Sequence, residues 1–330
     1  MSESLSITLT SPSIDIQQDA QIFARFLFLD QTPAASSDKD FHIALGQDGA
    51  ESLCEVWRYP GPVSTDSIDG INITSCKDYL LTGLTLEIST GDMCAHTRDV
   101  YDRLLGIIKQ KDYPYIVKAW NFVPGINQGD GDQETYRQFC KGRAEAFDSA
   151  GYSTENMPAG TGVGAPVNQG LGVFILASPV KSDPVENPRQ VSAYRYPRQY
   201  GPRSPSFSRG AVIRNGNGTQ LYVSGTASIL GHQSQHEGDI DAQTKEMLDN
   251  VSALASAAGL GSVLTNEKGD NAAVFRLYLR DRANRSTVLN HLNDLLPSSA
   301  QLIVLDADIC RRELLVEIDG VLTNCQISVD

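Results

Sequence analysis

The sequence has no apolar run long enough to cross a membrane. Its longest runs, such as LGVFILA at 171–177, fall far short of the roughly 20 residues that span a bilayer. No charged segment followed by an apolar one opens the chain, so no secretory leader is expected. These absences predict a cytoplasmic protein without membrane attachment.

Histidine and paired cysteine are also scarce. Of the five histidines, only His232 and His236 are spaced so that both could hold one ion, and a third ligand is missing nearby. The six cysteines include no CxxC pair and no dense framework. We therefore expect reduced thiols and no metal site.

The usual signatures of nucleotide binding and serine hydrolysis are absent. No GxGxxG or GxxxxGKS/T motif follows a strand pattern, and no GxSxG motif occurs. The formal net charge of −13 opposes binding to nucleic acid and to anionic membranes. We therefore expect no organic cofactor and neither of those partners. A small anionic substrate would need a local cationic pocket to overcome the same charge.

What the sequence does contain is one order of elements that occurs twice. Apolar periodicity predicts a strand at 79–88, a helix at 94–110, a strand at 115–123, a helix from about 133 to 150 that Gly151 ends, and a strand at 171–177. The order returns as a strand at 219–228, a helix at 239–258, a strand at 273–280, a helix at 286–295, and strands at 301–307 and 313–319. Residues 1–75 give no comparable pattern.

A proline-rich connector at 178–210 separates the two repeats, and its prolines leave few backbone groups for a sheet. We predict a domain boundary there, with domains at 1–185 and 186–330. The fold class expected is α+β, with two halves that are each a β-sheet with helices packed on one face.

Several arginines and tyrosines stand in apolar or rigid settings. Arg143 lies on the apolar face of a predicted helix, Tyr200 and Arg203 lie in the connector, and Arg280 ends a strand. Guanidinium groups bind carboxylates through two hydrogen bonds, and a tyrosine hydroxyl adds a donor. The alternatives are a surface arginine covering Phe147, a basic linker, and a solvated charge at a strand end.

A carboxylate and a thiol near the end of the chain are the remaining candidates. Glu317 lies between Val316 and Ile318 in a predicted strand, so it faces either water or a cleft that raises its pKa. Alternation alone favours water. Cys310 reads first as a small packed apolar residue.

Five long stretches in one order resemble the chorismatase family: WNFVPGIN, YRQFCKGRAEAF, YPRQYGPRSPSFSRG, SGTASILGH through HEGDIDAQTKEMLDN, and CRRELLVEIDG. They cover the chain from about residue 115 to its end. The C-terminal half of that family is similar to the RidA (YjgF) proteins, whose chorismate-mutase-like fold is a mixed sheet backed by two helices. The resemblance implies two such halves, in a monomer or a trimer.

The resemblance also implies an activity, cleavage of chorismate without metal or organic cofactor. It assigns the catalytic acid to Glu317, and the two substrate carboxylates to Arg143, Tyr200, Arg203 and Arg280. A neutral carboxyl group suits this role, because cleavage of an enol ether begins with protonation of its terminal methylene.

The product branch depends on two further positions. The family's hydrolysing members carry alanine where this chain aligns Gly225 and Cys310, and the hydroxybenzoate formers carry glycine and cysteine. The expected reaction is therefore chorismate to 3-hydroxybenzoate and pyruvate, through attack of the neighbouring ring hydroxyl. Gly225 would leave space for the shifted ring, and the Cys310 thiol would assist rearomatisation.

Four alternatives remain open at this point. Two are enzymes of the same family: a hydrolytic chorismatase that gives a dihydroxycyclohexadiene carboxylate, and a synthase of both 3- and 4-hydroxybenzoate. A third is a RidA-like module that binds carboxylates without turnover. The last is a RidA-like imine deaminase, which the length of the chain opposes because a single such domain fills only one half.

Overall fold

The computed structural model describes residues 3–14, 19–29, 37–47, 52–88, 92–215, 218–261, 271–296 and 299–325. Four helices lie in these ranges: α1 (Met93–Gln110), α2 (Thr135–Ala150), α3 (Ile240–Ala257) and α4 (Arg285–Leu295). The strands there are β1 (Ser6–Thr10), β2 (Ile22–Phe28), β3 (Asp40–Ile43), β4 (Cys54–Arg58), β5 (Ser64–Ile68), β6 (Ile71–Ser75), β7 (Leu80–Leu86), β8 (Tyr115–Pro124), β9 (Ala159–Ala165), β10 (Leu171–Ser178), β11 (Asp183–Val185), β12 (Gly210–Asn215), β13 (Gly218–Ala227), β14 (Ile229–Leu230), β15 (Gln233–Ser234), β16 (Asn271–Leu279), β17 (Gln301–Asp306) and β18 (Val316–Cys325).

Two six-stranded sheets share one topology. Their strand orders are β5-β6-β7-β10-β8-β9 and β11-β12-β13-β18-β16-β17, so each strand of the first sheet has a counterpart at the same place in the second. The pairs β8–β9 and β16–β17 are parallel, and the other neighbours are antiparallel. This confirms the predicted fold class of two α+β halves with mixed sheets. The boundary at 185/186 stays a prediction; β11, just before it, pairs with β12 of the second sheet.

The helices form where the sequence predicts them, and their ends have clear causes. Asp92 caps α1 by accepting a hydrogen bond from the Cys94 amide at 2.9 Å, and Asp239 caps α3 by accepting one from the Ala242 amide at 3.0 Å. Gly151 ends α2 with φ of +81°, a conformation that favours glycine. Each helix pair packs on one face of its own sheet.

The N-terminal residues that gave no sequence pattern form a third sheet, of order β1-β4-β2-β3. Its apolar side chains join the faces of both six-stranded sheets that the helices leave open. Trp57 of this sheet contacts Trp120 of the first half edge to face, with ring centroids 5.8 Å apart, and lies 6.4 Å from Tyr222 of the second half. Three sheets therefore enclose one aromatic core, and the helices lie outside it.

Strand β9 was missed in the sequence because its segment, AGTGVGA, is rich in glycine, which is unfavourable in strands. The structure shows why glycine is needed. A Cβ at Gly160 would lie 2.9 Å from the Cβ of Phe207, and one at Gly164 would lie 2.6 Å from the Cβ of Asp308. The backbone of β9 is thus the surface on which the second half packs closely.

Within the described ranges, no helix is long and apolar enough to span a membrane. The same ranges contain no cluster of three or more histidine, cysteine or carboxylate side chains that could hold a metal ion.

Candidate active site

A cavity of about 470 Å³ opens between the two halves. Its walls come from the segment that leads into α2, from the connector between the halves, from β13 and β14, and from the segment that leads into β18. The lining residues are Gly129, Asp130, Gly131, Glu134, Tyr136, Arg137, Tyr196, Gln199, Tyr200, Pro205, Phe207, Arg209, Gly225, Ala227, Ile229, Cys310, Arg311, Arg312, Glu313 and Glu317.

The buried end of the cavity holds a carboxyl group. Val316 and Ile318 point into the core beneath α3 and α4, so Glu317 between them points the other way, toward the first half. Glu317 is only 4% exposed, and it faces the cavity instead of bulk water. Burial and then the negative charge of Asp319 raise the pKa of Glu317 to about 8, against the opposing effect of Lys118 and Arg209. The carboxyl group is therefore mostly protonated at neutral pH.

Gly225 lies directly against this carboxyl group because of a β-bulge. The β13–β18 pairing shifts between Val223 and Thr226, so Ser224 and Gly225 together oppose Asp319 alone. A Cβ at Gly225 would overlap Glu317 Oε1 and lie 3.0 Å from its Cδ. Glycine at this position thus allows the Glu317 carboxyl group to lie where it does.

Cys310 lies in the wall of the same cavity. Burial and the nearby Glu317 raise the pKa of its thiol well above the usual range. The thiol is therefore neutral at physiological pH. It can donate or accept a proton or a hydrogen bond in the cavity, but it is a poor nucleophile.

Arg280, predicted to hold a substrate carboxylate, instead organises the segment that carries Cys310. All five of its N–H groups donate to protein oxygens, those of Asn127, Asp308, Ile309, Arg311 and Leu314. None of these donors remains for a ligand.

The structure also keeps the other two predicted arginines away from the cavity wall. Arg203 is exposed and pairs with Asp148 at 2.7 Å. Arg143 is buried, with its guanidinium 5.0 Å from the ring centroid of Phe139 and 5.9 Å from that of Phe207. The structure thus brings together four of the seven candidate residues: Tyr200, Gly225, Cys310 and Glu317.

Other arginines, for which the sequence gave no specific signal, supply the positive charge of the cavity. Arg209 is 4% exposed, and its Nη2 donates to the Val191 carbonyl at 2.8 Å and to the Tyr196 hydroxyl at 2.7 Å. Its Nε has no hydrogen-bond partner among the described residues. Arg311 stacks on Tyr200, with its guanidinium 4.1 Å from the ring centroid. Arg209 lies near the end of the connector at 178–210, which contains several arginines. It differs from most of them in being buried, and burial cannot be seen in the sequence.

These residues form a cavity with a protonated carboxyl group at the buried end and guanidinium and tyrosine groups in its walls. Such an arrangement can hold a small anion and protonate it within a site shielded from water. The fold and the cavity therefore define an α+β protein of two like halves with an acid site for a small anionic molecule between them.

Comparison of the sequence with known proteins identifies the family. Residues 55–177 match the family described as chorismatase FkbO/Hyg5-like, N-terminal. A chorismatase of Streptomyces rapamycinicus is 38% identical over 82% of this chain and 83% of its own length. A 3-hydroxybenzoate synthase of Streptomyces hygroscopicus is 33% identical over 83% of this chain and 82% of its own length. The chain belongs to the chorismatase family.

One solved structure agrees with this assignment. A chorismatase crystal structure matches 97% of this chain and 98% of its own with a TM-score of 0.86 and 29% identity. The YjgF gene product of E. coli matches 43% of this chain and 98% of its own, with 19% identity and a TM-score of 0.31.

Proposed function

We propose that this protein cleaves chorismate to 3-hydroxybenzoate and pyruvate. The observation that carries the proposal is the buried Glu317 carboxyl group at the closed end of a cavity lined by arginines, where burial raises its pKa to about 8. Membership of the chorismatase family, and the similarity to a 3-hydroxybenzoate synthase, support the substrate and the product.

The proposed reaction is balanced without water. Glu317 gives its proton to the terminal methylene of the enolpyruvyl group, and the neighbouring ring hydroxyl attacks the ring carbon that carries the ether. The bond from this carbon to the ether oxygen breaks and pyruvate leaves, while the hydroxyl proton returns to Glu317. The carbon–oxygen bond at the carbon that carried the hydroxyl then breaks, the neighbouring ring carbon loses its proton, and the oxygen gains one, which gives 3-hydroxybenzoate. General acid catalysis of the first step contributes roughly 10²- to 10⁴-fold.

Arg209 and Arg311 are the residues that we propose for the substrate carboxylates, with Tyr200 as a further donor. Both arginines line the cavity, whereas Arg203 and Arg280 are engaged elsewhere. Arg143 lies behind Phe207, and its Nε and Nη2 have no partner among the described residues, so a contribution through the wall of the cavity stays a prediction.

The branch assignment is supported by Gly225 and Cys310, which both contact the space in front of Glu317. A neutral thiol at Cys310 can pass a proton during rearomatisation without attacking the ring. The oligomeric state, monomer or trimer, stays a prediction. The cytoplasmic location stays a prediction.

Product analysis tests the proposal directly. The purified, chelator-treated protein is incubated with chorismate, pyruvate is measured by a coupled assay, and the ring products are separated by chromatography. Equal amounts of pyruvate and 3-hydroxybenzoate are expected. A dihydroxycyclohexadiene carboxylate or 4-hydroxybenzoate would overturn the branch, and binding without pyruvate release would overturn the enzyme.

The pH dependence of the rate follows from the state of Glu317. Because the acid must carry its proton, kcat/KM should be level below its pKa and fall as pH rises above about 8. The fall should approach about tenfold per pH unit. Product chromatography is the suitable measurement, since it avoids the pH response of a coupling enzyme. A rate that increases through pH 8 would assign a base instead.

Gly225→Ala should reduce turnover about 10- to 100-fold, because the added methyl displaces the Glu317 carboxyl group from its reacting position. Part of the remaining product should be the dihydroxycyclohexadiene carboxylate, since a displaced acid leaves room for water. Gly106→Ala is the matched control: a Cβ there meets open space on the exposed side of α1, and turnover should be unchanged. Wild-type turnover in Gly225→Ala would show that Glu317 adapts freely.

Arg209→Lys should raise KM for chorismate about tenfold or more, because lysine cannot form the planar pair of hydrogen bonds with a carboxylate. Arg214→Lys serves as the control, since Arg214 is exposed, pairs with Asp183 and the Ala258 carbonyl, and does not line the cavity. Arg203→Lys tests the assignment made from the sequence, and an unchanged KM would remove Arg203 from the site. An unchanged KM in Arg209→Lys would move the carboxylate site elsewhere.

A further inference from the structure

A second group of buried charges lies behind Glu317, at the junction of the two halves. Lys118 of β8 is 1% exposed, and its ammonium group donates to Thr161 Oγ1 at 2.7 Å and to the Val223 carbonyl at 2.6 Å. The Thr161 hydroxyl in turn donates to Asp319 Oδ2 at 2.5 Å, and the ammonium group lies 3.5 Å from the same oxygen. Lysine and threonine of the first half thus hold an aspartate of the second.

This group is built around the same bulge as the catalytic carboxyl group. Glu317 and Asp319 are two residues apart on β18, so both side chains project from one face of the strand toward the first half. Lys118 hydrogen-bonds the carbonyl of Val223, the residue before the bulged pair. The Thr161 methyl carbon lies 3.4 Å from the position that a Cβ at Gly225 would take. Asp319 therefore lies on the same face of β18 as Glu317 but outside the lining of the cavity.

The charges in this group act on Glu317 in opposite directions. Asp319 accepts a hydrogen bond from Thr161, and the Lys118 ammonium group lies beside it. A buried negative charge so near makes a second one unfavourable, so Asp319 raises the pKa of Glu317, and Lys118 lowers it by a smaller amount. The Thr161 hydroxyl, which lies between lysine and aspartate, fixes their separation.

We propose that Asp319, held in place by Lys118 and Thr161, is a positioning residue that keeps Glu317 in its acid form before substrate binds. The proposal rests on the proposed function, in which Glu317 is the proton donor. Binding of a dianionic substrate beside Arg209 would reinforce the effect. No covalent step involves Asp319, since it does not line the cavity and its carboxylate is bound by Thr161.

Other titratable or charged groups also face Glu317, and a titration experiment must distinguish their effects from that of Asp319. These are Arg209 ahead of β12, Cys310 ahead of β18, and Tyr278 on the neighbouring strand β16, besides Asp319 and Lys118. Burial raises the pKa of Cys310 and of Tyr278 well above the usual range of each group, so both are neutral over the range in which Glu317 titrates. A titration observed in that range therefore reports on Glu317 or on Lys118. Burial lowers the pKa of Lys118 to about 8.

The test is a direct titration of the Glu317 carboxyl group by carbon-13 NMR of protein labelled at glutamate. The Glu317 signal is identified by its loss in Glu317→Gln. In Asp319→Asn the midpoint should move down by about one pH unit or more, because the charge that opposes ionisation is gone. The decline of kcat/KM should move down by the same amount. Asp183→Asn, an exposed aspartate paired with Arg214, should move neither.

A double variant keeps the test valid if Asp319→Asn does not fold with an unpaired lysine in its core. Lys118→Met with Asp319→Asn leaves no unpaired buried charge, and its Glu317 midpoint should still lie below that of the wild type. Thr161→Ser, which keeps the hydroxyl, should retain the wild-type midpoint.

An unchanged midpoint in a folded Asp319→Asn protein overturns the proposal. Because the titration needs no turnover, it separates this inference from the proposed function. A shifted midpoint in a protein that releases no pyruvate from chorismate would retain the role of Asp319 and reject the reaction.

Discussion

Glu317→Gln should retain the fold and chorismate binding while turnover falls at least about a hundredfold, the lower range of what a general acid contributes. Glutamine has nearly the same shape as the protonated acid, and it can occupy the space next to Gly225 without a new charge. What it cannot do is release a proton to the methylene carbon. The loss should therefore appear in kcat and leave KM nearly constant.

Two measurements make this result specific. Chorismate binding by calorimetry shows whether the cavity remains intact, and a thermal melt shows whether the protein is folded. Glu145→Gln is the matched control, since Glu145 lies on α2 away from the cavity and its substitution should not change turnover. Near-normal turnover in Glu317→Gln would remove Glu317 as the acid and require another proton donor in the cavity, of which Cys310 is the nearest candidate.

The sequence was most informative where periodicity and capping act locally. The helices α1, α2 and α3 were predicted within a few residues, because their apolar faces repeat at helical spacing and Asp239 and Gly151 mark ends. The twofold order of elements followed from the same patterns. The N-terminal sheet did not, since its strands are short and are held by contacts with Trp120 and Tyr222, which are remote in sequence.

The residues of the site likewise differ in how far the sequence could predict them. For Glu317, between Val316 and Ile318, alternation alone pointed to water, and only the family resemblance assigned it as the acid. In the structure the first half of the chain covers that face of the strand. The roles of the arginines were harder to predict. An arginine at a strand end or in a connector looks the same in sequence whether its side chain faces a cavity or hydrogen-bonds to backbone carbonyl groups. Arg280 and Arg209 differ only in what surrounds them, and those surroundings are assembled by folding.

The last prediction concerns stability and the N-terminal sheet. Glu55 of β4 accepts hydrogen bonds from Arg276 of β16 at 2.7 and 2.9 Å, and from Trp57 Nε1 at 2.5 Å. Both charged residues are 2% exposed, and the Arg276 guanidinium lies 4.6 Å from the ring centroid of Phe26. The pair joins the N-terminal sheet to the second half inside the aromatic core.

Glu55→Gln should destabilise the protein by about 3–5 kcal/mol, because it leaves a guanidinium charge unpaired among aromatic rings. Denaturant unfolding measures the change. The double variant Glu55→Met with Arg276→Met should recover most of the loss, since a buried ion pair contributes little more than apolar residues of similar volume. If the single and double variants are equally unstable, the loss comes from packing of the N-terminal sheet, and the charge pair has no separate role. In the cycle formed by Glu55→Met, Arg276→Met and the double variant, a coupling near zero would lead to the same conclusion, whereas a coupling of several kcal/mol would show that the pair holds the N-terminal sheet on the second half.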